Sequence, residues 1–121
     1  MLNENAKKWV AALRSGEYKQ IQNRLGDPNG HCCLGVACEV AIENGVPLKK
    51  ELHTAGFYRY GDDRTSLPAI VQTWLGLATH SGWYDLKDAS DHSLMSDNDS
   101  RRLTLAQIAD IIESEPEGLF V

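Results

Sequence analysis

Residues 33 to 44, CLGVACEVAIEN, form the most apolar segment of the chain and constrain its fold more than any other segment. Only Glu39 and Glu43 are charged there, and their spacing of four places both on one face of a helix. A helix that is apolar on nearly every other side must be covered by its neighbours. The segment therefore predicts a buried central helix with one solvated edge, ended by Gly45 and Pro47.

Three further segments repeat apolar residues at helical spacing. The first begins after a cap at Asn3 or Asn5 and stops at Gly16, where a left-handed residue suits the end of a helix. The second, SLPAIVQTWLGL, opens with Ser66 as its cap and stops at Gly76. The third, LTLAQIADIIE, opens with a threonine and a glutamine at the spacing of a capping box, Thr104 and Gln107. With the central segment, these predict about four helices.

The remaining segments predict short strands and loops. DPNG, residues 27 to 30, is a strong turn signal, so the flanking YKQIQNRL and HCC stretches are expected to form a hairpin. FYRY and GWYDL are short strand candidates. Residues 89 to 101 are polar and predict a mobile surface loop. The predicted fold is α+β: a small single globular domain over residues 1–121, dominated by helices, with short β-hairpins.

Three cysteines in the segment GHCCLGVACEV raise the question of chemistry. A thiolate at a helix N-terminus has a lowered pKa, so Cys32 or Cys33 could act as a nucleophile with a histidine as base. The alternative is packing, because unpaired cysteine is a small and often buried hydrophobe. A zinc site is the third option, but adjacent cysteines diverge and no second ligand pair occurs. We favour packing for Cys32, Cys33 and Cys38, and predict no metal site.

A ligand site is predicted from the aromatic and basic residues of FYRYGDDR: Tyr58, Arg59, Tyr60 and Arg64. Aromatic faces stack on bases, and arginine forms paired hydrogen bonds with phosphate oxygens. The alternative is that the FYRY strand simply packs one face inward. The sequence has no glycine-rich phosphate loop and predicts no cofactor.

Charge and composition exclude several classes of protein. The net charge is −5, which disfavours nucleic acid as a partner unless the arginines cluster on one face. No apolar run approaches the roughly 18 to 20 residues that a membrane span needs, and the polar start lacks a signal peptide core. An odd cysteine count argues against a disulfide framework. The sequence predicts a cytoplasmic protein without a membrane partner and leaves open whether it forms a homo-oligomer.

Four segments carry a resemblance: WVAALRSGEYKQ, CCLGVACEV, SLPAIVQTWLGL and LTLAQIADIIE. In this order they resemble an uncharacterised family of small proteins from tailed phages and prophages. Its members carry RSG-x-Y-x-Q, CCLGV-x-C, LP-x-x-V-x-x-W-x-G-L and a last helix with IADxIE. Members usually also carry an L-x-x-LND segment before that helix, which SLMSDNDS resembles here with Ser96 in place of the leucine. The resemblance implies a phage-type origin in an infected host cell and no established activity.

These observations predict a small cytoplasmic binding protein that acts on a host factor by contact, without catalysis. The factor could be a host protein, or a small nucleotide signal held by aromatic and arginine side chains. The alternative is a small cysteine-dependent enzyme that uses Cys32 or Cys33 with a histidine base.

Overall fold

The computed structural model of the chain describes residues 2–121. Five helices surround one hydrophobic core, and their bounds are α1 Glu4–Arg14, α2 Cys33–Glu43, α3 Ala69–Leu75, α4 Leu94–Asp99 and α5 Leu105–Glu113. Six short strands pair as three hairpins: β1 Gly26–Asp27 with β2 Gly30–His31, β3 Lys50–Leu52 with β4 Tyr58–Tyr60, and β5 Trp83–Tyr84 with β6 His92–Ser93. The predicted α+β class and the dominance of helices are confirmed.

Helix α2 is the central helix that its composition predicts. Its residues from Cys33 to Cys38 are all buried, and α1, α3 and α4 pack around it. Helix α1 also packs along α5. The fully buried Trp9 of α1 donates its indole N–H to the carbonyl of Cys33, 2.9 Å away, which joins the first helix to the start of the central one.

Helix ends follow the predicted caps at most positions. The Asn3 side chain accepts from the backbone of Ala6 at 2.8 Å, and Gly76 ends α3 in the left-handed conformation at φ 76°. The capping box at the start of α5 is present. Ser66 is not the cap of α3, because the helix starts at Ala69 and Pro68 precedes it without a side-chain hydrogen bond. Proline suits this place, since its fixed φ leads into a helix.

The hairpins are shorter than the sequence pattern predicts. The turn at residues 27 to 30 is confirmed, but its strands are two residues each and residues 18–25 form no strand of the hairpin. Instead, this segment crosses the start of α2, where Gln20 forms an isolated bridge with His31. The strand predicted in FYRY is β4, and its partner β3 has no sequence signal of its own.

The prediction of a mobile surface loop at residues 89–101 is wrong. This segment contains β6 and α4, and two of its polar residues, Asp97 and Asn98, are fully buried. Ser93 caps the helix by accepting from the backbone of Ser96 at 3.0 Å. The polar composition is explained by hydrogen bonds to distant parts of the chain, because burial of polar groups requires such partners.

Candidate functional site

The four residues predicted to bind a ligand do not converge on one pocket. Tyr60 is fully buried, and its hydroxyl donates to Glu39 Oε2 at 2.6 Å. Neighbouring residues of a strand point to opposite faces, so Arg59 lies on the other side and pairs with Glu51 of β3 at 3.5 Å. Tyr58 stacks on His31, with ring centroids 6.0 Å apart. Only Arg64 reaches an open site.

Arg64 and Arg24 converge on the ring of Phe57, and we name these three residues the arginine–phenylalanine site. The guanidinium carbons lie 5.4 Å and 5.8 Å from the ring centroid, which is the range of cation–π contact. Asn23 and Thr65 complete a surface depression of about 240 Å³. The exposed ring of His53 stacks on Phe57 at 4.7 Å and extends the aromatic surface.

The two arginines are 40 positions apart in the sequence, and the backbone of Leu25 brings them together. Its N–H donates to the carbonyl of Arg64 at 2.7 Å, and its own carbonyl accepts from the N–H of Cys32 at 3.1 Å. Gly35 permits this approach, because a Cβ atom there would stand 1.7 Å from the carbonyl oxygen of Leu25. The site is therefore attached to the start of the central helix.

The arginine–phenylalanine site carries positive charge that the protein itself does not neutralise. Within residues 2–121, no carboxylate forms an ion pair with Arg64, and Arg24 has only a 3.5 Å pair with Asp27. Other arginines are engaged elsewhere: Arg14 with Asp110 and Glu113, Arg59 with Glu51, and Arg101 with Asp97. On a chain of net charge −5, this site is a local attractor for an anion.

Next to this site lies a second group, the His31 cluster of His31, Glu39, Lys50, Tyr58 and Tyr60. Lys50 Nζ lies 3.0 Å from Glu39 Oε2 and 4.2 Å from the centre of the Tyr58 ring. Burial opposes ionisation of Glu39, but the nearby His31 ring, whose Nε2 lies 3.6 Å from Oε2, the Tyr60 hydroxyl and the Lys50 ammonium outweigh it and lower the pKa of that carboxyl to about 2. The carboxylate is thus already occupied by its own neighbours, as expected of a structural charge.

All three cysteines lie in the core. Cys32 caps α2, where its sulfur accepts from the backbone of Gly35 at 3.4 Å, and Cys33 donates its thiol to the carbonyl of Leu94 at 3.5 Å. Burial raises the pKa of Cys32 to about 11 and also raises the pKa of Cys33 and Cys38. None of the hydrogen bonds in residues 2–121 joins a thiol to an imidazole. This environment is typical of packing cysteines and not of nucleophiles.

The polar residues that the sequence interpretation missed form the α4 network, centred on Asn98. Its side-chain oxygen accepts from the backbone of Cys33 at 3.1 Å and from Gln20 Nε2 at 2.8 Å. Its side-chain nitrogen donates to the carbonyl of Ile21 at 2.9 Å and to Asp99 Oδ1 at 2.8 Å. Both carboxylate oxygens of the neighbouring Asp97 also accept a hydrogen bond. With all its groups paired, the network has a structural role. The DND triplet was the available signal, but it does not specify burial.

Asp97 connects α4 to the β5–β6 hairpin. The hydroxyl of Tyr84 donates to Asp97 Oδ2 at 2.5 Å, and Arg101 Nη1 donates to Asp97 Oδ1 at 2.9 Å. Burial, together with the hydrogen bond to Asp97, raises the pKa of Tyr84 above its ordinary range. The hydroxyl is therefore held as a neutral donor, which agrees with a structural role for this pair.

An apolar depression of about 540 Å³ lies on another surface, between the end of α2 and the outer face of α3. It is lined by Val46, Pro47, Ala69, Ile70, Thr73 and Trp74. Ile70 is 41% exposed there and contributes apolar surface to the depression. We name this surface the α3 depression.

The part of the chain that the structure describes contains neither a group of side chains suited to a metal ion nor a helix suited to spanning a membrane. No three or more histidine, cysteine, aspartate or glutamate side chains in residues 2–121 are grouped to hold a metal ion. The longest helices described have 11 residues, and none has the length and apolar character that crossing a bilayer requires.

Comparison with known proteins gives one match. A family described as a domain of unknown function (DUF8296) matches residues 1–116, which is nearly the whole chain. No curated protein and no solved structure matches this chain.

Proposed function

The chain belongs to the DUF8296 family, and on that premise we propose that it is a small binding protein that acts by contact, without catalysis. In this proposal it is a phage-type protein that works in the cytoplasm of an infected host cell, and the host factor that it binds is a small nucleotide signal. The observation that carries the proposal is the convergence of two exposed guanidinium groups on the ring of Phe57.

The arginine–phenylalanine site offers both kinds of contact that a nucleotide needs. Arg24 and Arg64 can form charge-assisted hydrogen bonds with phosphate oxygens, and the exposed ring of His53, which stacks on Phe57 with one face, can stack on a base with its other face. The depression of about 240 Å³ is smaller than a typical pocket for a whole small ligand, about 300–1,000 Å³, so it would hold part of a nucleotide, such as its phosphate.

Two further observations support contact and the phage-type origin. The thiols of Cys32 and Cys33 are buried with raised pKa values, so the alternative cysteine-dependent enzyme has no accessible nucleophile among them. The phage-type origin is supported by the four sequence segments that resemble tailed-phage proteins, including CCLGVACEV.

The test is calorimetric titration of the purified protein with a panel of adenine and guanine nucleotides. We expect binding by the native protein, and a loss of about 10- to 100-fold in affinity for Arg64→Gln, since a hydrogen bond to a charged group contributes about 1.5–3 kcal/mol. Arg102→Gln is the matched control, because it removes an exposed arginine outside the site. If no nucleotide binds, and denatured protein releases none, this version of the proposal is wrong.

A host protein is the second candidate for the factor, and the α3 depression favours it. Its exposed apolar lining, with Ile70 at its surface, would suit an apolar segment of a partner. Affinity capture from host cells with the native protein, Ile70→Glu and Arg64→Gln tests this version. This version predicts a host protein that the native protein and Arg64→Gln capture and that Ile70→Glu does not capture. A captured set that is the same for all three proteins would contradict it.

A further inference from the structure

We infer that the arginine–phenylalanine site binds a terminal phosphate monoester, a dianion, in preference to an internal phosphodiester. The inference rests on the proposed function, because it specifies which phosphate the nucleotide presents to Arg24 and Arg64. It is carried by the number, charge and surroundings of the donors at this site.

The number of donors suits a terminal phosphate better than a diester. Each guanidinium presents five N–H groups in a planar fork, and a fork can form two parallel hydrogen bonds with a phosphate. The carbons of the two guanidinium groups lie 5.4 Å and 5.8 Å from the centroid of the same ring, and both arginines line the same depression of about 240 Å³. A phosphate group in that depression would therefore face both forks. A terminal phosphate offers three free oxygens, whereas a diester offers two.

The charge of the site also matches a dianion. Arg64 contributes one positive charge without a carboxylate partner in residues 2–121, and Arg24 contributes a second that is shared with Asp27 at 3.5 Å. The charge of the Arg14 guanidinium, by comparison, is already balanced by two carboxylates at 2.7 and 3.0 Å. A monoester at neutral pH carries close to two negative charges and would neutralise the pair, whereas a diester carries one.

The surroundings favour a small ligand over a polymer. The chain has a net charge of −5, so a long polyanion that crosses its surface would meet repulsion outside this one site. The side chains of Asn23 and Thr65 line the depression and make no hydrogen bond within residues 2–121, which leaves neutral donors for the remaining ligand oxygens. A nucleotide with a terminal phosphate satisfies each of these conditions.

The experiment compares three ligands that differ only at the phosphate: adenosine monophosphate, its methyl diester and adenosine. Calorimetry on the full chain measures each affinity at one pH and one ionic strength. We expect the monoester to bind about 10-fold or more tightly than the methyl diester, which loses one charge and one free oxygen. Arg24→Gln and Arg64→Gln should each reduce the ratio of monoester affinity to methyl diester affinity toward one, while Arg102→Gln should leave that ratio unchanged.

The outcomes separate this inference from the proposed function. Equal affinity for the monoester and the methyl diester would overturn the inference and leave nucleotide binding in place. Equal affinity for adenosine would likewise overturn it, because the phosphate would then contribute nothing. If none of the three ligands nor any other nucleotide binds, the proposed function itself fails. Thermal unfolding of each variant beforehand verifies that a lost ratio reflects the site and not the fold.

Discussion

The α4 network and the arginine–phenylalanine site are both built from polar side chains, but they differ in how many partners those side chains have. Asn98 is fully buried and uses its side-chain oxygen and nitrogen in four hydrogen bonds. Arg64 is exposed, and the one interaction of its side chain within residues 2–121 is with the ring of Phe57. Saturated, buried polar groups specify a fold, whereas exposed charges without partners are available to a ligand.

The two regions meet on one stretch of chain. The backbone of Asn23 donates to Asp99 Oδ1 of the network at 2.9 Å, and Asn23 also lines the arginine–phenylalanine site. Leu25, two residues later, is fixed against Gly35 of the central helix. The α4 network therefore holds the segment that carries Asn23 and Arg24 of the arginine–phenylalanine site. Substitutions in the network, in the site and at the point where they are joined can test the two regions separately and together.

The largest effect is expected at Gly35, against which the backbone of Leu25 packs. Alanine normally stabilises a helix interior by about 1 kcal/mol relative to glycine, but in Gly35→Ala the new Cβ would stand 1.7 Å from the carbonyl oxygen of Leu25. We expect a loss of more than about 4 kcal/mol in the free energy of unfolding, and the loss of nucleotide binding. Urea unfolding followed by circular dichroism measures it. A stability equal to or above the native value would contradict the contact.

The next effect separates the two regions. Asn98→Ala leaves the buried N–H of Cys33 and the carbonyl of Ile21 without side-chain partners, so we expect a loss of about 3 kcal/mol in the free energy of unfolding. The folded fraction should still bind nucleotide, since Asn98 does not line the site. Urea unfolding of the variant measures the loss, and a free energy of unfolding equal to the native value would show that these hydrogen bonds do not stabilise the fold.

The contrast between these regions also explains which features were predictable from sequence. The central helix, the capping box at Thr104 and the turn at residues 27 to 30 depend on local spacing, and all three are confirmed. The burial of Asn98 depends on partners 65 to 78 positions away, and no local pattern encodes them. Arg64 was selected from its neighbours in FYRYGDDR, but Arg24 and Phe57 join it only through the backbone of Leu25.

A smaller effect is expected within the network at Cys33. Its thiol is fully buried and donates only a weak hydrogen bond of 3.5 Å to Leu94. Cys33→Ser places a more polar hydroxyl in this apolar contact and should lower the free energy of unfolding by roughly 1–3 kcal/mol. Urea titration of the variant measures this loss. A variant with native stability that no longer binds its partner would contradict the packing role.

The pH dependence of stability tests the role of Glu39 in the His31 cluster. Its folded pKa of about 2 lies below its ordinary value of 4.5, so its stabilising contribution is complete above pH 4.5 and is lost as the pH falls toward 2. We expect the free energy of unfolding of the native protein to be larger than that of Glu39→Gln by about 1 kcal/mol at neutral pH. The difference is small because this carboxylate is partly solvated. The difference should shrink as the pH falls toward 2. A difference that does not change with pH would exclude ionisation as its cause.

The smallest stability effect is expected where the ligand effect is largest. Arg64 is exposed, has no carboxylate partner in residues 2–121 and holds its place through its backbone carbonyl, which substitution does not remove. Arg64→Gln should therefore change the free energy of unfolding by less than about 0.5 kcal/mol. Urea unfolding without ligand measures this. A loss as large as that of Asn98→Ala would mean that the arginine supports the fold, and the distinction between the two regions would fail.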